Sequence, residues 1–154
     1  MDIDIRRKLP FDDNVADFIF AEHVIEHVSH RESYEFFVEC RRVLKNGGVL
    51  RIATPSVVQI ARGTTPGYLR FLKDHGWGDG SPASAVRSII FEHGHASIWS
   101  AETLLAVLDS IGFKSKQCQV KCSEFEDLRG IEGHDRVIGA EFNALETLCV
   151  EAQK

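Results

Sequence analysis

The sequence predicts an α/β fold in which two parallel strands are joined by a helix. Residues 15–20, VADFIF, are a short run of branched and aromatic residues, typical of a strand buried on both faces of a parallel sheet. After Ser33, apolar residues recur at offsets 0, 1, 4, 7 and 8 from Phe36, which is the spacing of one face of an amphipathic helix. They are Phe36, Phe37, Cys40, Val43 and Leu44. A second apolar run covers residues 49–53. A strand, helix, strand unit of this length is a right-handed βαβ crossover.

The same segment carries signals for the ends of its elements. Turn residues at positions 12–14 precede the first predicted strand. Lys45 lies in the predicted last turn of the helix, and Gly47 can adopt the left-handed conformation that ends it. Pro55 cannot donate a hydrogen bond to a neighbouring strand, so it ends the second strand.

Ligands of open parallel sheets bind beyond the carboxyl ends of the strands. Glu22 and His23 follow the first predicted strand, and Thr54 and Ser56 follow the second. We therefore expect these four residues to line one crevice.

The rest of the chain continues the alternation of helices and strands. Residues 57–94 have no clear period, but a structureless loop of that length is improbable, so the segment should hold a short helix. Ser100 and Gly112 are start and stop signals for a helix of about three turns. The predicted elements are a strand-like segment at 1–5, helices at 66–75 and 101–111, and strands at 113–122 and 146–152.

Composition bounds the class of protein. The chain has 154 residues and 44% hydrophobic residues, which suits one domain with a real core. Its net charge of -5 argues against general binding to nucleic acid or a membrane surface. Met1 is followed by charged residues rather than an apolar signal region, so we expect a cytoplasmic protein.

The four cysteines form no CxxC pair and lie in predicted helices or strands. Buried free cysteine commonly behaves as a small apolar residue, and no further ligands converge on these four. We assign no metal site to the chain. The cysteines are Cys40, Cys118, Cys122 and Cys149.

Four pieces of the sequence, in order, resemble the second half of class I S-adenosylmethionine-dependent methyltransferases of the type 11 kind. They are LPF at 9–11, DFIF at 17–20, HVIEHV at 23–28 and RRVLKNGGVLRIATP at 41–55. The resemblance implies a partial Rossmann-like methyltransferase fold, with a mixed sheet of about four strands and an antiparallel C-terminal pair. It also implies a single domain over residues 1–154 that lacks the N-terminal part of that fold.

The resemblance further implies S-adenosylmethionine as cofactor and an unknown small molecule as methyl acceptor. Asp4 would lie beside the adenine, where its carboxylate can accept from the exocyclic amine. Leu9, Glu22 and His23 complete the expected cofactor-binding set. His23 and His95 are the expected catalytic residues, because some acceptors need a general base near neutral pH.

One part of the family pattern is missing from the sequence. The glycine-rich turn that follows the family's first strand is absent, and Gly76, Gly78 and Gly80 follow no predicted strand. Three explanations stay open: a truncated sequence, a missing half supplied by another chain, or a fold kept without the activity. Without the family's first strands, the strand at 15–20 becomes a sheet edge unless residues 1–5 pair with it, and from this edge we expect a homodimer or a partner chain.

Two other functions fit parts of the sequence. His23, Glu26 and His27 match H-x-x-E-H, a zinc hydrolase motif in which two histidines share one helical face, and His93 or His95 could add a third ligand. Alternatively, the chain is a non-catalytic interaction or assembly module that uses the open sheet edge.

Overall fold

A computed structural model describes residues 3–154 and contains a four-stranded sheet in the order β1-β2-β4-β3. β1 is parallel to β2, whereas β4 is antiparallel to both β2 and β3. The predicted α/β class and the mixed sheet with an antiparallel C-terminal pair are therefore confirmed. The strands are β1 (Ala16–Glu22), β2 (Leu44–Pro55), β3 (Lys114–Cys118) and β4 (Thr147–Gln153).

Seven α-helices accompany the sheet in the described part of the chain. Two 3-10 turns, Ile25–His27 and Glu126–Leu128, lie in the connections. No helix within residues 3–154 is long and apolar enough to cross a membrane. The helices are α1 (His30–Val43), α2 (Val57–Arg62), α3 (Pro66–Asp74), α4 (Pro82–Phe91), α5 (Ala101–Ile111), α6 (Asp135–Ile138) and α7 (Ala140–Glu146).

Helix α1 joins the two parallel strands, as the sequence predicted. Ser29 caps it reciprocally with Glu32: the Glu32 N–H donates to Ser29 Oγ, and the Ser29 N–H donates to Glu32 Oε2 at 2.8 Å. Its predicted apolar face is buried against the sheet. That burial, rather than the cap alone, fixes the helix in place.

The end of α1 differs from the prediction. α1 ends at Val43, and Leu44 already has extended backbone as the first residue of β2. Lys45 binds Asp17 of β1 at 2.8 Å instead of lying in a helical turn. Gly47 does have a positive φ of 81°, but inside β2, where its N–H donates to the Lys154 carbonyl. Pairing with the sheet on both sides ends the helix earlier than its own signals indicated.

The downstream elements mostly follow the prediction. α3 and α5 occupy the predicted segments, and α5 has Ser100 as its N-cap and Gly112 in the left-handed conformation at its end. β3 is shorter than predicted, because a turn with Lys121 at φ 64° begins after Cys118. Residues 3–5 are not a strand, and residues 1–2 of that predicted segment lie outside the described residues.

Strand β1 is an edge of the sheet within residues 3–154, as expected. Val15, immediately before it, is 46% exposed, and Phe11 is 38% exposed. An apolar groove of about 490 Å³ runs beside this edge and includes Ile5 and Leu9 in its lining. We call it the edge groove.

A buried arginine lies in the middle of the sheet. Arg51 on β2 is fully buried; its Nη1 donates to Glu151 on β4 at 2.5 Å and its Nε to Glu132 at 2.7 Å. Burial lowers the pKa of Arg51, but the surrounding thiol groups and Glu132 raise it above its ordinary value. Arg51 therefore stays charged and holds the loop that carries Glu132 against the sheet.

Replacing Arg51 should destabilise the protein strongly. Arg51→Met leaves two carboxylates buried without their cation, so we expect the free energy of unfolding to fall by about 3–5 kcal/mol in urea titrations. Arg31→Met removes an exposed ion pair with Glu35, and the expected change is under about 1 kcal/mol. Equal effects of the two substitutions would contradict this account.

Candidate functional site

The parallel strands β1 and β2 end side by side, with Glu22 opposite Ala53. The His23 N–H donates to the Ala53 carbonyl at 2.9 Å, and His23 has a φ of 50°, which is uncommon for a residue with a side chain. This sharp turn leads the chain from β1 into the 3-10 turn at Ile25–His27. Non-glycine residues held in such a conformation are often found at functional sites.

A cavity of about 290 Å³ lies at this end of the sheet. His23, which follows β1, lines it as expected, and Pro55, the last residue of β2, lines it as well. Its distinguishing feature is the number of imidazoles in its wall, and we call it the histidine cavity. The lining histidines are His23, His27, His93, His95 and His134.

The other residues predicted to share this crevice do not line it. Thr54 is buried and donates from Oγ1 to Glu26 Oε2 at 3.0 Å. Ser56 caps α2 by accepting from the Gln59 N–H. The expectation of one crevice lined by all four residues is therefore wrong for Glu22, Thr54 and Ser56, whose side chains are hydrogen-bonded elsewhere.

Glu22 holds a distant loop. Its carboxylate accepts from the Gly133 N–H at 2.8 Å and from the His134 N–H at 3.1 Å. These amides lie at the start of the short helix α6, and a carboxylate is favoured there. Glu22, expected to bind cofactor, thus fixes the position of His134.

His23 stacks on His134, with ring centroids 3.8 Å apart. Its Nδ1 lies 3.2 Å from Glu26 Oε1, whereas its Nε2 is buried with no hydrogen-bond partner. Buried polar atoms in proteins are rarely left unpartnered. The free Nε2 therefore marks His23 as a candidate proton acceptor in the cavity wall.

His134 also belongs to a network of polar contacts with Glu146 and Tyr68. Its Nε2 lies 3.3 Å from Glu146 Oε1, and the Tyr68 hydroxyl donates to Glu146 Oε2 at 2.6 Å. Burial, with Glu146 next to it, raises the pKa of Tyr68 above its ordinary value, so Tyr68 stays protonated. These three residues were missed from the sequence. The only signal was the segment around IEGHDRV, to which no chemistry could be attached.

The expected catalytic residue His95 lines the same cavity as His23. Its Nδ1 lies 2.6 Å from the Ile89 carbonyl, and its ring packs edge-on against His27 with centroids 5.1 Å apart. His93 is close by, and its burial and the neighbouring His95 lower its pKa. Both expected catalytic residues are thus brought to one cavity.

Glu26 is almost fully buried beside these histidines. Its burial raises its pKa, but interactions with His23, a backbone N–H and Thr54 outweigh burial and lower the pKa below the ordinary value. Glu26 is therefore a carboxylate at neutral pH, in a position where isolated charges are costly.

The geometry required by the zinc hydrolase motif is not formed. That motif needs His23 and His27 one turn apart on an α-helix, but only the 3-10 turn Ile25–His27 is present here. His23 stacks on His134, while His27 Nδ1 lies 3.3 Å from the Gly94 carbonyl. The two histidines therefore do not share a helical face.

Asp4 and Leu9 are not part of the histidine cavity. Both oxygens of Asp4 accept from Arg6, at 2.9 and 3.0 Å, and the side chain and backbone of Arg6 lower the pKa of Asp4 to about 2. Leu9 lines the edge groove. The expected cofactor residues are therefore not brought to one cavity: Leu9 lines the edge groove, His23 lines the histidine cavity, and Asp4 and Glu22 line neither.

Comparisons with known proteins were made for both sequence and structure. The family model described as methyltransferase domain matches residues 2–52, and a search of curated protein sequences gave no match. The structure resembles a SAM-dependent methyltransferase from Archaeoglobus fulgidus at a TM-score of 0.54 and 19% identity, over 94% of this chain and 62% of that one.

Two further solved structures have a similar fold. One is a complex containing the Trm112 methyltransferase activator of Haloferax volcanii, with a TM-score of 0.54, 13% identity and coverage of 97% of this chain and 58% of that one. The other is a SAM-dependent methyltransferase from Thermotoga maritima, with a TM-score of 0.50, 18% identity and coverage of 97% and 61%. The chain thus spans about three fifths of each of these three structures and has a fold similar to that of SAM-dependent methyltransferases.

The role of Glu22 can be tested through the loop that it holds. Glu22→Ala removes the acceptor for the Gly133 and His134 amides, so both should exchange with deuterium at least tenfold faster. Glu35→Ala, on the exposed face of α1, should leave these rates unchanged. Unchanged exchange at Gly133 and His134 in the Glu22 variant would show that the loop is held by other contacts.

Proposed function

We propose that the chain is a single S-adenosylmethionine-dependent methyltransferase-like domain that transfers a methyl group to a small-molecule acceptor in the cytoplasm. The histidine cavity at the carboxyl ends of β1 and β2 is the observation that carries this proposal, because ligands of such sheets bind at that end. The match of residues 2–52 to a methyltransferase domain supports it. A reducing compartment also suits the free thiols of Cys118 and Cys149.

The described residues fit one end of the proposed cofactor. The edge groove offers an apolar wall, including Leu9, against which an adenine ring could pack. Asp4 is ionised, its side chain is 35% exposed, and a carboxylate has lone-pair positions beyond those used by Arg6. For the ribose end of the cofactor, residues 3–154 contain no counterpart of the family's glycine-rich turn. Gly76, Gly78 and Gly80 follow helix α3 and not a strand.

The chemistry expected of this chain is positioning and proton transfer. When bound, the cofactor would supply an electrophilic methyl group, which needs an acceptor atom held in line with it. We propose that the acceptor lies in the histidine cavity and that His23 Nε2 takes its proton, since this nitrogen has no other partner. His95, in the same wall, would position the acceptor.

The alternative is a non-catalytic assembly module, and the edge groove favours it. An unpaired strand edge with apolar side chains beside it invites pairing with another chain. In this alternative we propose that two copies associate along β1, so that the edge groove is covered by the partner copy and not by a cofactor. Such a dimer would leave the histidine cavity as it is, because the edge groove and that cavity share no lining residue.

The first test is calorimetric titration of the purified chain with S-adenosylhomocysteine. We expect binding that weakens about tenfold or more in Asp4→Asn, because a hydrogen bond to a charged group contributes about 1.5–3 kcal/mol. Asp17→Asn is the matched control, since Asp17 is an exposed carboxylate paired with Lys45. A folded chain that binds nothing at millimolar ligand would overturn the catalytic proposal and favour the assembly module.

The proposed dimer can be tested separately by light scattering at micromolar concentration. We expect twice the mass of the 17.3 kDa chain, and a monomer for Val15→Lys, because lysine at a sheet edge discourages pairing. Val38→Lys is the control: Val38 is similarly exposed, at 41%, but lies on α1. A monomeric mass for the unmodified chain would exclude the dimer.

A further inference from the structure

We infer that Glu26, His27 and His95 form a binding site for a divalent transition-metal ion, of which zinc suits the ligands best. The inference does not depend on methyl transfer and differs from the zinc hydrolase motif. In that motif His23 is a ligand and the glutamate is a base, whereas here Glu26 is a ligand and His95 replaces His23. Two imidazoles and one carboxylate are a common ligand set for zinc.

The three side chains are already close enough to share an ion. Each offers one ligand atom, and these atoms lie within 4.8 Å of one another. Zinc bonds to nitrogen and oxygen of about 2.0–2.2 Å place neighbouring ligand atoms roughly 3–3.5 Å apart. Side-chain rotations that shift the ligand atoms by about an ångström are enough to bring them to these distances.

Hydrogen bonds set both histidines in the protonation state that a metal requires. His27 Nδ1 lies 3.3 Å from the Gly94 carbonyl, and His95 Nδ1 lies 2.6 Å from the Ile89 carbonyl. A carbonyl oxygen can only accept, so each Nδ1 carries the proton and each Nε2 keeps its lone pair. Metal-binding histidines are usually oriented in this way.

Glu26 supplies the oxygen Oε1, which lies 3.2 Å from His23 Nδ1 but not in hydrogen-bond geometry. Its Oε2 accepts from Thr54, but its Oε1 is buried and has no hydrogen-bond partner in the described part of the chain. His27 Nε2 lies 3.9 Å from this oxygen, close but too far for a hydrogen bond. A buried carboxylate oxygen without a partner is costly, and a cation between it and the histidines would remove that cost.

Backbone contacts hold the two halves of the site together. The carbonyl of Glu26 accepts from the Ala96 N–H at 2.7 Å and from the Ser97 N–H at 3.0 Å. Ser97 Oγ also donates to the Ile25 carbonyl at 3.1 Å. These bonds tie the segment after His95 to the 3-10 turn that carries Glu26 and His27, so the ligands are positioned before any ion binds.

The proposed ion would be accessible from the histidine cavity. His27 and His95 line that cavity, whereas Glu26 lies behind them. Three protein ligands leave a fourth position for water or for an oxygen or nitrogen of a bound molecule. An ion there would lower the pKa of whatever hydroxyl it binds, which gives the cavity a second means of activating an acceptor.

The test is a calorimetric titration of the full chain, free of any histidine tag and treated with a chelator, with Zn²⁺ alone. We expect one ion per chain with a dissociation constant in the micromolar range or below. Co²⁺ should also bind and give the visible absorption of a four-coordinate nitrogen and oxygen site. Neither readout requires activity or cofactor, so failure here is distinct from failure of the methyltransferase proposal.

Variants show whether these three residues hold the ion. His27→Asn, His95→Asn and Glu26→Gln should each weaken binding of Zn²⁺ at least tenfold and abolish the Co²⁺ absorption. His75→Asn changes an exposed histidine at the end of α3 that does not line the histidine cavity, and it should change neither. The His27 side chain is 43% exposed, so its variant should fold even if the Glu26 variant does not. No binding at 100-fold excess of ion, or binding unchanged in folded His27→Asn, would overturn the inference.

Discussion

The positive charge of Arg51 inside the sheet is the constraint from which the arrangement of the site follows. A buried guanidinium needs nearby carboxylates, and Glu151 on β4 is its cross-strand neighbour. The second carboxylate, Glu132, comes from a loop and is held to the sheet by this ion pair. The loop also carries His134, so a charge balance within the sheet brings that histidine to the end of β1.

Glu22, at the end of β1, also holds the loop that carries Glu132 and His134. Arg51 binds the loop at Glu132, and Glu22 binds it at the next two amides. The loop is thus fixed at two adjacent points, and His134 stacks on His23 as a result. Glu22, which the sequence suggested for cofactor binding, thus also determines the position of a residue that lines the histidine cavity.

The sequence was most informative where local patterns determine structure. The parallel strand pair, helix α1 and helix α5 with its two caps could all be predicted, because periodicity and capping depend on neighbouring residues. The exact end of α1 could not, since Leu44 is extended only because it pairs with Ala16 in another strand.

The residues of the histidine cavity were likewise predictable only in part. His23 and His95 could be chosen from their places after a strand and before a helix, but Tyr68 and Glu146, which are 78 positions apart, meet only through tertiary packing.

The segment 21–27, which covers the end of β1 and the turn after it, separates the two cavities at this end of the sheet. Ala21 and Val24 line the edge groove, whereas His23 and His27 line the histidine cavity, so this segment forms a wall with two faces. In the proposed function the apolar face would hold the adenine end of a cofactor and the imidazole face an acceptor. An ion held by Glu26 and His27 would then lie in the wall itself, next to the acceptor and away from the adenine. Transfer across such a wall would require both molecules to reach one edge of it, beside the cavity that His23 lines. The positive φ at His23 turns the chain between the two faces, from the end of β1 into the turn that carries Glu26 and His27.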